Sequence, residues 1–325
     1  MPNNPSHDHH FVPVFYLENW ADPYSGKVTE FKKRYKGILP RLTSPKGTGY
    51  EKFLYDSEDG SAASLEASFM MPADTHAAEA MRVMLTSKRE IQWTQRQRSG
   101  WSRFLMSMLL RHPEDVAELA KLVDDDWTNL SQEMQDNYYR DRTPDMPSTA
   151  EQWWEQNRAA LREKARLKWH RNLIDHGGIG RRLNSMSWNV ANLTTSKHLL
   201  LTSDRPVLIS GGIADRNVSV IVPLSPNRLF IAVRDENVLA EIRSKSPTQL
   251  AADINRRVVA NARTFVFGSD ARYEEFIQKH FATSNEPSLL QRLADKRRME
   301  RSAKLASNAP AAINVPPIVS LDIVD

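Results

Sequence analysis

The apolar pattern of this chain changes near residue 190, and that change most limits the folds the chain can adopt. Between residues 64 and 190 apolar side chains recur with helical spacing, as at Trp101, Phe104, Leu105 and Met108. From residue 191 to about 282 they fall instead in short β-rich runs bounded by turn residues. Segregated helices and strands are typical of an α+β protein. We therefore predict a helical middle followed by a C-terminal mixed β-sheet unit with flanking helices.

A short N-terminal strand or helix segment is predicted to pack against this sheet unit, which makes residues 9–282 a single domain. Residues 28–35 read as a strand, whereas Pro40 and the flanking glycines predict a loop over residues 37–49. Residues 1–8 are polar, and residues 283–325 are polar and basic before becoming rich in alanine and proline. Such composition favours flexible tails, with a transient helix near residues 289–304.

Composition narrows the classes of protein that fit this chain. The 44 basic and 40 acidic residues leave a formal charge of +4, which is compatible with a nucleic acid or another polyanion as partner. The sequence has no cysteine, which excludes disulfides, thiolate metal sites and cysteine nucleophiles. No export signal and no apolar run of membrane-spanning length is visible. We therefore expect a cytoplasmic protein without a membrane partner.

Histidines near the N-terminus are the first candidates for chemistry. His7, Asp8, His9 and His10 directly precede an aromatic segment, and imidazole and carboxylate groups can ligate transition metals. His7 and His9 are expected to lie in the tail without a function. The backbone of His10 should be held by the adjacent Val12-Pro13 pair. Two interpretations of His10 stay open: a general base or metal ligand, and a ring that bonds a nearby carbonyl.

The second candidate is the polar segment at residues 202–206, which follows an apolar run. Ser203 offers a hydroxyl, Asp204 a carboxylate and Arg205 a planar donor for phosphate, all at the end of a predicted strand. The alternative, which we favour slightly, is a structural turn in which serine and aspartate bond neighbouring backbone groups. Arg111, at the end of an apolar helix, either complements the helix dipole or reaches into a cleft.

Several short motifs in this chain are similar to those of a bacterial family, the domain of unknown function DUF4238. They comprise His10-Phe11-Val12-Pro13 with Phe15-Tyr16-Leu17 and Trp20, the segments 52–56, 111–113, 201–207 and 222–226, and Asn255-Arg256 leading to residues 265–267. The sequence departs from the family pattern at Arg205, where the family usually has asparagine, and at Leu54, which interrupts a Phe–Tyr pair. The resemblance implies a shared fold and supplies no substrate or mechanism.

Three function classes fit these features, and we prefer the first. It is a hydrolase acting on a phosphate-containing substrate such as a nucleic acid. His10 and Asp204 would serve in catalysis or hold a divalent metal, Ser203 would contribute its hydroxyl, and Arg111 or Arg205 would neutralise phosphate. This hypothesis requires His10 and Asp204 to meet. The alternatives are a nucleic-acid-binding module without catalysis, and a protein-interaction module whose motifs hold the fold together.

Overall fold

In the part of the chain that the structure describes, the strands form three small antiparallel sheets. The computed structural model describes residues 8–35, 37–55, 70–127 and 129–306. The first sheet pairs β1 (Asp8–His10) with β4 (Tyr50–Lys52). The second runs, in spatial order, through β3 (Gly37–Thr43), β2 (Val28–Arg34), β10 (Phe265–Gly268) and β6 (Thr202–Ser203). The third runs through β5 (Ser187–Asn192), β9 (Arg228–Val233), β8 (Ser219–Ser225) and β7 (Leu208–Ser210).

Helices fill the sequence between and after these strands. They are α1 (Val14–Leu17), α2 (Met71–Thr86), α3 (Gln95–Leu110), α4 (Pro113–Asp126), α5 (Gln132–Asp141), α6 (Ala150–Ile174), α7 (Gly177–Ser185), α8 (Glu236–Ser244), α9 (Pro247–Asn261), α10 (Glu274–His280) and α11 (Leu289–Ala306). Short 3₁₀ segments lie at Glu18–Trp20 and Pro45–Gly47. Within the described ranges, no helix combines the length and apolarity needed to cross a bilayer.

The α+β prediction is confirmed, with corrections to the sheets. Every pair of neighbouring strands is antiparallel, so the expected mixed sheet is wrong. The second sheet also draws β2 and β3 from the N-terminal part of the chain, with Phe31 opposite Val266. The predicted loop over residues 37–49 contains β3. Pro40 lacks a backbone N–H, and β3 tolerates it because it lies at the edge of its sheet.

Local signals set several helix boundaries where the sequence places them. Thr149 caps α6 by accepting the N–H of Gln152 at 3.2 Å. His112 separates α3 from α4, because Pro113 disfavours helical geometry in the residue before it. The His112 ring then caps α4 by accepting the N–H of Glu114 at 3.2 Å.

The N-terminal aromatic segment is locked to the C-terminal strands, as predicted. The Tyr16 hydroxyl lies 2.7 Å from Thr202 Oγ1 and donates to the Pro223 carbonyl at 2.8 Å. The Trp20 indole donates to the Leu200 carbonyl at 2.9 Å. Both rings are fully buried in the main core, where a large apolar side chain contributes about 1.5–3 kcal/mol. Contacts between residues far apart in the sequence therefore place the N-terminal aromatic segment and the C-terminal strands in the same core.

The predicted tail from residue 283 is corrected in its first part, because α11 is packed against the domain. Leu290 and Ala294 are buried in the main core. Arg298 donates to Glu118 on α4 at 2.6 Å, and Arg297 lies 3.1 Å from Asp126. The helix buries only a narrow apolar stripe, so its sequence reads as polar overall. Residues 1–7 and 307–325 lie outside the described residues.

Candidate functional site

The His10 ring is held by the loop between β3 and β4. Its Nε2 donates to the Lys46 carbonyl at 3.2 Å, and its ring centroid lies 5.5 Å from that of Tyr50. Partial burial lowers the pKa of His10, an effect that the Lys46 hydrogen bond opposes. This arrangement corresponds to the structural interpretation, in which the ring bonds a nearby carbonyl.

The prediction that the neighbouring His9 lies in a flexible tail is wrong. His9 is buried in β1, its Nδ1 accepts the backbone N–H of Tyr55 at 3.0 Å, and its ring stacks on that of Tyr55. His7, the other member of the predicted tail pair, lies outside the described residues.

Asp204 organises the start of strand β10. Its carboxylate accepts the backbone N–H groups of Arg263 at 3.0 Å, Thr264 at 2.5 Å and Phe265 at 3.0 Å, and the residue is 1% exposed. Ser203 is fully buried, and its hydroxyl accepts the N–H of Arg205 at 3.2 Å. These are the backbone bonds of a structural turn, and they occupy part of the accepting capacity that metal binding at these oxygen atoms would need.

His112, rather than His10, is the histidine beside Asp204. Its Nε2 lies 3.4 Å from Asp204 Oδ2, within ion-pair distance but without the alignment of a hydrogen bond. The Phe11 and His112 rings pack edge to face at a centroid distance of 5.4 Å. His10 and Asp204 do not contact each other, although the hydrolase hypothesis requires them to meet. Across the described residues, no group of three or more histidine, aspartate or glutamate side chains is arranged to hold a metal.

The sequence pattern at residues 111–113 predicted the backbone position of His112 at a helix boundary, but not the contacts of its side chain. A residue before proline at the start of a helix is a natural N-cap position, and this feature predicted the helix boundary. The same pattern says nothing about which side chain the imidazole faces across the core. His112 was therefore missed as a neighbour of Asp204.

Arg205 is paired with carboxylates at the start of α4. Its Nη2 lies 2.7 Å from Asp115 Oδ2 and 3.2 Å from Glu114 Oε2. The buried Asp115 also accepts from the Ser288 hydroxyl at 2.6 Å. Burial raises the pKa of Asp115, while Arg205 and Ser288 act in the opposite direction. Arg205 thus joins the 202–206 turn to α4 and, through Asp115, to the residue before α11.

Arg111 is buried and engaged inside the helical layer. Its Nη1 and Nη2 donate to the carboxylate of Asp74 at 3.3 and 2.9 Å, and its Nε donates to Ser107 Oγ at 2.6 Å. Only 2% of its surface is exposed. Nearby His170 is also buried, and burial together with the charge of Arg111 lowers its pKa to about 4. The structure therefore places Arg111 in an internal ion pair and not in a cleft.

An open cavity of about 540 Å³ lies between α9, the loop after β7, residues 280–288 and α11. We call it the basic cavity. The lining side chains that carry positive charge are Arg205, Arg256, Arg257, Arg263, Arg292 and Lys296. Glu286 is the carboxylate among its described lining residues. Arg205 and Arg263 pair with carboxylates at the start of α4, and Arg292 lies 4.0 Å from Glu286. The excess of positive charge that favours an anion therefore comes from Arg256, Arg257 and Lys296.

Among these side chains, Arg257 gives the strongest indication of an anion-binding site. Its Nη2 donates to Ser210 Oγ at 3.3 Å, and burial lowers the pKa of its guanidinium. Within the described part of the chain, no carboxylate lies within 4 Å of its guanidinium, nor of the charged groups of Arg256 and Lys296. Glu286 and Asp253 lie farther away, and their charges partly oppose the effect of burial on the pKa of Arg257. A partly buried cation without a carboxylate in direct contact favours the binding of an anion.

Sequence reasoning gave little weight to Asn255 and Arg256, which the structure separates. The Asn255 side chain accepts the N–H of Leu201 at 2.8 Å and donates to the Leu199 carbonyl at 2.8 Å, so it anchors the segment leading to β6. Arg256 is exposed and lines the basic cavity. The consecutive arginines 256–257 and the i, i+4 pair Arg292 and Lys296 were the available signals, but nothing local shows that they converge.

A comparison to known families confirms the family resemblance. The model of the family described as protein of unknown function DUF4238 matches residues 8–272. The chain belongs to this family. No curated protein and no solved structure gives a significant match.

The DUF4238 match has a consequence for the basic cavity. Arg205, Arg256, Arg257 and Arg263 lie inside the matched range, whereas Glu286, Ser288 and the α11 side chains lie beyond residue 272. The cavity is thus built jointly by the DUF4238 region and by the C-terminal helix that packs on it.

Proposed function

We propose that this protein binds a small anionic ligand, of the phosphate-containing class, in the basic cavity without hydrolysing it. The observation that carries this proposal is the Arg257 guanidinium, which lines the cavity, is partly buried and has no carboxylate within 4 Å among the described residues. Removing a cation from water costs free energy that an anionic partner offsets. Guanidinium groups match the geometry of phosphate oxygens and form paired hydrogen bonds with them.

The size of the cavity favours a small ligand over a nucleic acid. Its volume of about 540 Å³ lies in the usual range for small-molecule sites. Arg256, Arg257, Arg292 and Lys296 surround one concave space, whereas a nucleic acid is bound through cations spread along an extended track. The positive charge of this cavity thus suits a small anion better than the polyanion expected from composition.

Binding without hydrolysis is favoured by the bonds of the predicted site residues. Ser203 and Asp204 are buried and committed to backbone N–H groups, and Arg111 is committed to Asp74. His10 bonds a backbone carbonyl away from Asp204. A hydrolase at these residues would have to break buried hydrogen bonds before substrate could approach, at about 1–3 kcal/mol for each group left unpaired. The hydrolase activity and the cytoplasmic location, both inferred from the sequence, stay predictions.

Isothermal titration calorimetry of the full chain with inorganic phosphate and with pyrophosphate tests the proposal. We expect saturable binding that weakens as NaCl is raised, because the attraction is electrostatic. Arg257→Gln should weaken binding by about tenfold, the loss of one good charge-assisted contact. Arg158→Gln is the matched control, since Arg158 lies on α6 and pairs with Glu155 on the surface.

Two results would contradict the proposal. One is the absence of saturable binding of either anion to the folded wild-type protein. The other is equal affinity for wild type and Arg257→Gln, with Arg158→Gln unchanged as well, which would place any anion site elsewhere. Thermal denaturation with and without pyrophosphate supplies a second readout, because a ligand that binds only the folded state raises the melting temperature.

A further inference from the structure

The basic cavity has an aliphatic wall as well as a charged one. Its partly exposed apolar lining comes from the end of α3, from β7 and from α11, at Leu109, Ile209, Leu289 and Leu293. Behind them Met108, Val207 and Ile213 are buried in the main core. A phosphate ion alone would leave these exposed aliphatic side chains in water, where they gain nothing from the ligand.

Helix α11 carries both kinds of wall on neighbouring rows. Leu289 and Leu293 are four residues apart, as are Arg292 and Lys296, so each pair forms its own row along the helix. Arg256 and Arg257 on α9 add charge to the same space. The cavity thus offers an aliphatic surface directly beside a cationic one.

The lining is aliphatic and not aromatic, which bears on the kind of ligand. No phenylalanine, tyrosine or tryptophan is among the described lining residues, and the His280 ring already contacts Phe276 at 4.7 Å. Nucleobases are usually held by stacking on aromatic side chains, whereas an alkyl chain gains from any apolar surface that removes it from water. The lining therefore favours an alkyl chain over a nucleobase.

We propose that the ligand is a free single-chain amphiphile whose phosphate lies on Arg256, Arg257 and Lys296. Its aliphatic chain packs on Leu109, Leu289 and Leu293. This inference rests on the proposed function and names the ligand class of the same cavity. Each methylene removed from water strengthens binding by up to about fourfold, so chain length should control affinity.

The test is calorimetry of the full chain with inorganic phosphate, butyl phosphate, octyl phosphate and uncharged octyl glucoside, all as monomers in solution. We expect affinity to rise by at least about tenfold from phosphate to butyl phosphate and again to octyl phosphate, with octyl glucoside weakest. Adenosine monophosphate should bind less tightly than octyl phosphate.

Two variants separate the charged wall from the aliphatic one. Leu293→Gln should remove most of the gain from the octyl chain and leave inorganic phosphate binding unchanged, and Leu289→Gln is the second variant should the first fail to fold. Both leucines are partly exposed, so neither substitution leaves an unpaired amide in the core. Arg257→Gln should weaken the binding of every phosphate.

Each other outcome overturns the inference in a distinguishable way. Equal affinity for the three phosphates overturns the amphiphile and leaves the proposed function standing, whereas binding of none of them overturns both. Tighter binding of adenosine monophosphate than of octyl phosphate assigns the cavity to nucleotides. Co-sedimentation with vesicles of phosphatidic acid and phosphatidylcholine, without binding of monomeric octyl phosphate, replaces the free amphiphile with a membrane surface.

Discussion

His112 Nε2 lies 3.4 Å from Asp204 Oδ2, and both side chains are buried where the start of α4 meets the end of β6. Asp204 also binds three consecutive backbone N–H groups at residues 263–265. The pair therefore connects the helical layer, the short strand β6 and the start of β10. The segments 111–113 and 201–207, whose sequences resemble DUF4238 motifs, meet at this point.

Asp204 should matter for stability. We expect Asp204→Ala to lower the free energy of unfolding by about 3 kcal/mol, because it leaves three backbone N–H groups, one buried and two partly buried, without their acceptor. Asp204→Asn, which keeps one carbonyl oxygen, should cost less. Urea denaturation measures both, with Asp253→Ala as control, since Asp253 forms a half-exposed pair with Lys245 that is worth at most about 1 kcal/mol. An Asp204→Ala protein as stable as wild type would contradict this account.

The ion pair between buried Arg111 and partly buried Asp74 should show strong coupling. Arg111→Met should cost about 3–5 kcal/mol, because the Asp74 carboxylate loses its cation, and adding Asp74→Asn should restore part of the loss. The exposed pair of Arg96 and Glu79 joins the same two helices and is the control, with coupling of at most about 1 kcal/mol. Chemical denaturation of both double-mutant cycles tests this prediction. Additive losses for Arg111 and Asp74 would show that the contact carries no energy.

His170 should make stability fall in mild acid. Its pKa is about 4 in the folded protein and near 6.5 in an unfolded chain, so the unfolded state binds more protons between these values. Stability should therefore be full above about pH 6.5 and fall toward pH 4, by up to about 3 kcal/mol. Urea denaturation of wild type and His170→Gln from pH 4.5 to 7.5 isolates this contribution. Parallel pH profiles for the two proteins would contradict it.

Helix α11 should behave as part of the domain. We expect Leu290→Ala to cost about 2–4 kcal/mol, because Leu290 is buried in the main core. Met299→Ala, at an exposed position on the same helix, should change stability by no more than about 0.5 kcal/mol. Amide hydrogen exchange should show protection through the middle of α11. Rapid exchange there, with no effect of Leu290→Ala, would return these residues to the tail predicted from sequence.

The nuclease hypothesis has its own test. Because His10 and Asp204 are engaged with separate parts of the backbone, we expect no Mg²⁺- or Mn²⁺-dependent cleavage of plasmid DNA or total RNA that depends on either residue. The assay compares wild type with His10→Ala and with Asp204→Asn, the milder substitution. Metal-dependent cleavage that both folded variants lose would overturn the structural roles assigned to these residues.

The elements that were predicted correctly have local causes. The cap at Thr149, the boundary before Pro113 and the helical spacing from Trp101 to Met108 all depend on residues within a turn or two of each other. Errors occurred where a local signal competed with pairing elsewhere. Pro40 favours a loop locally, but its strand forms because it pairs with β2. The sequence of α11 is polar overall, but its narrow apolar stripe is covered by α4 and the core.

The sequence by itself determined the helical middle, the later β-rich region and the polar residues worth testing. Only the tertiary structure decided what those residues contact. Asp204 bonds the backbone N–H of Arg263, Arg111 pairs with Asp74, and Arg257 lines one cavity together with side chains of α11. The physical reason is that helix and strand preferences act between near neighbours in the chain. The free energy of a buried charge depends instead on whichever groups the packed core brings beside it.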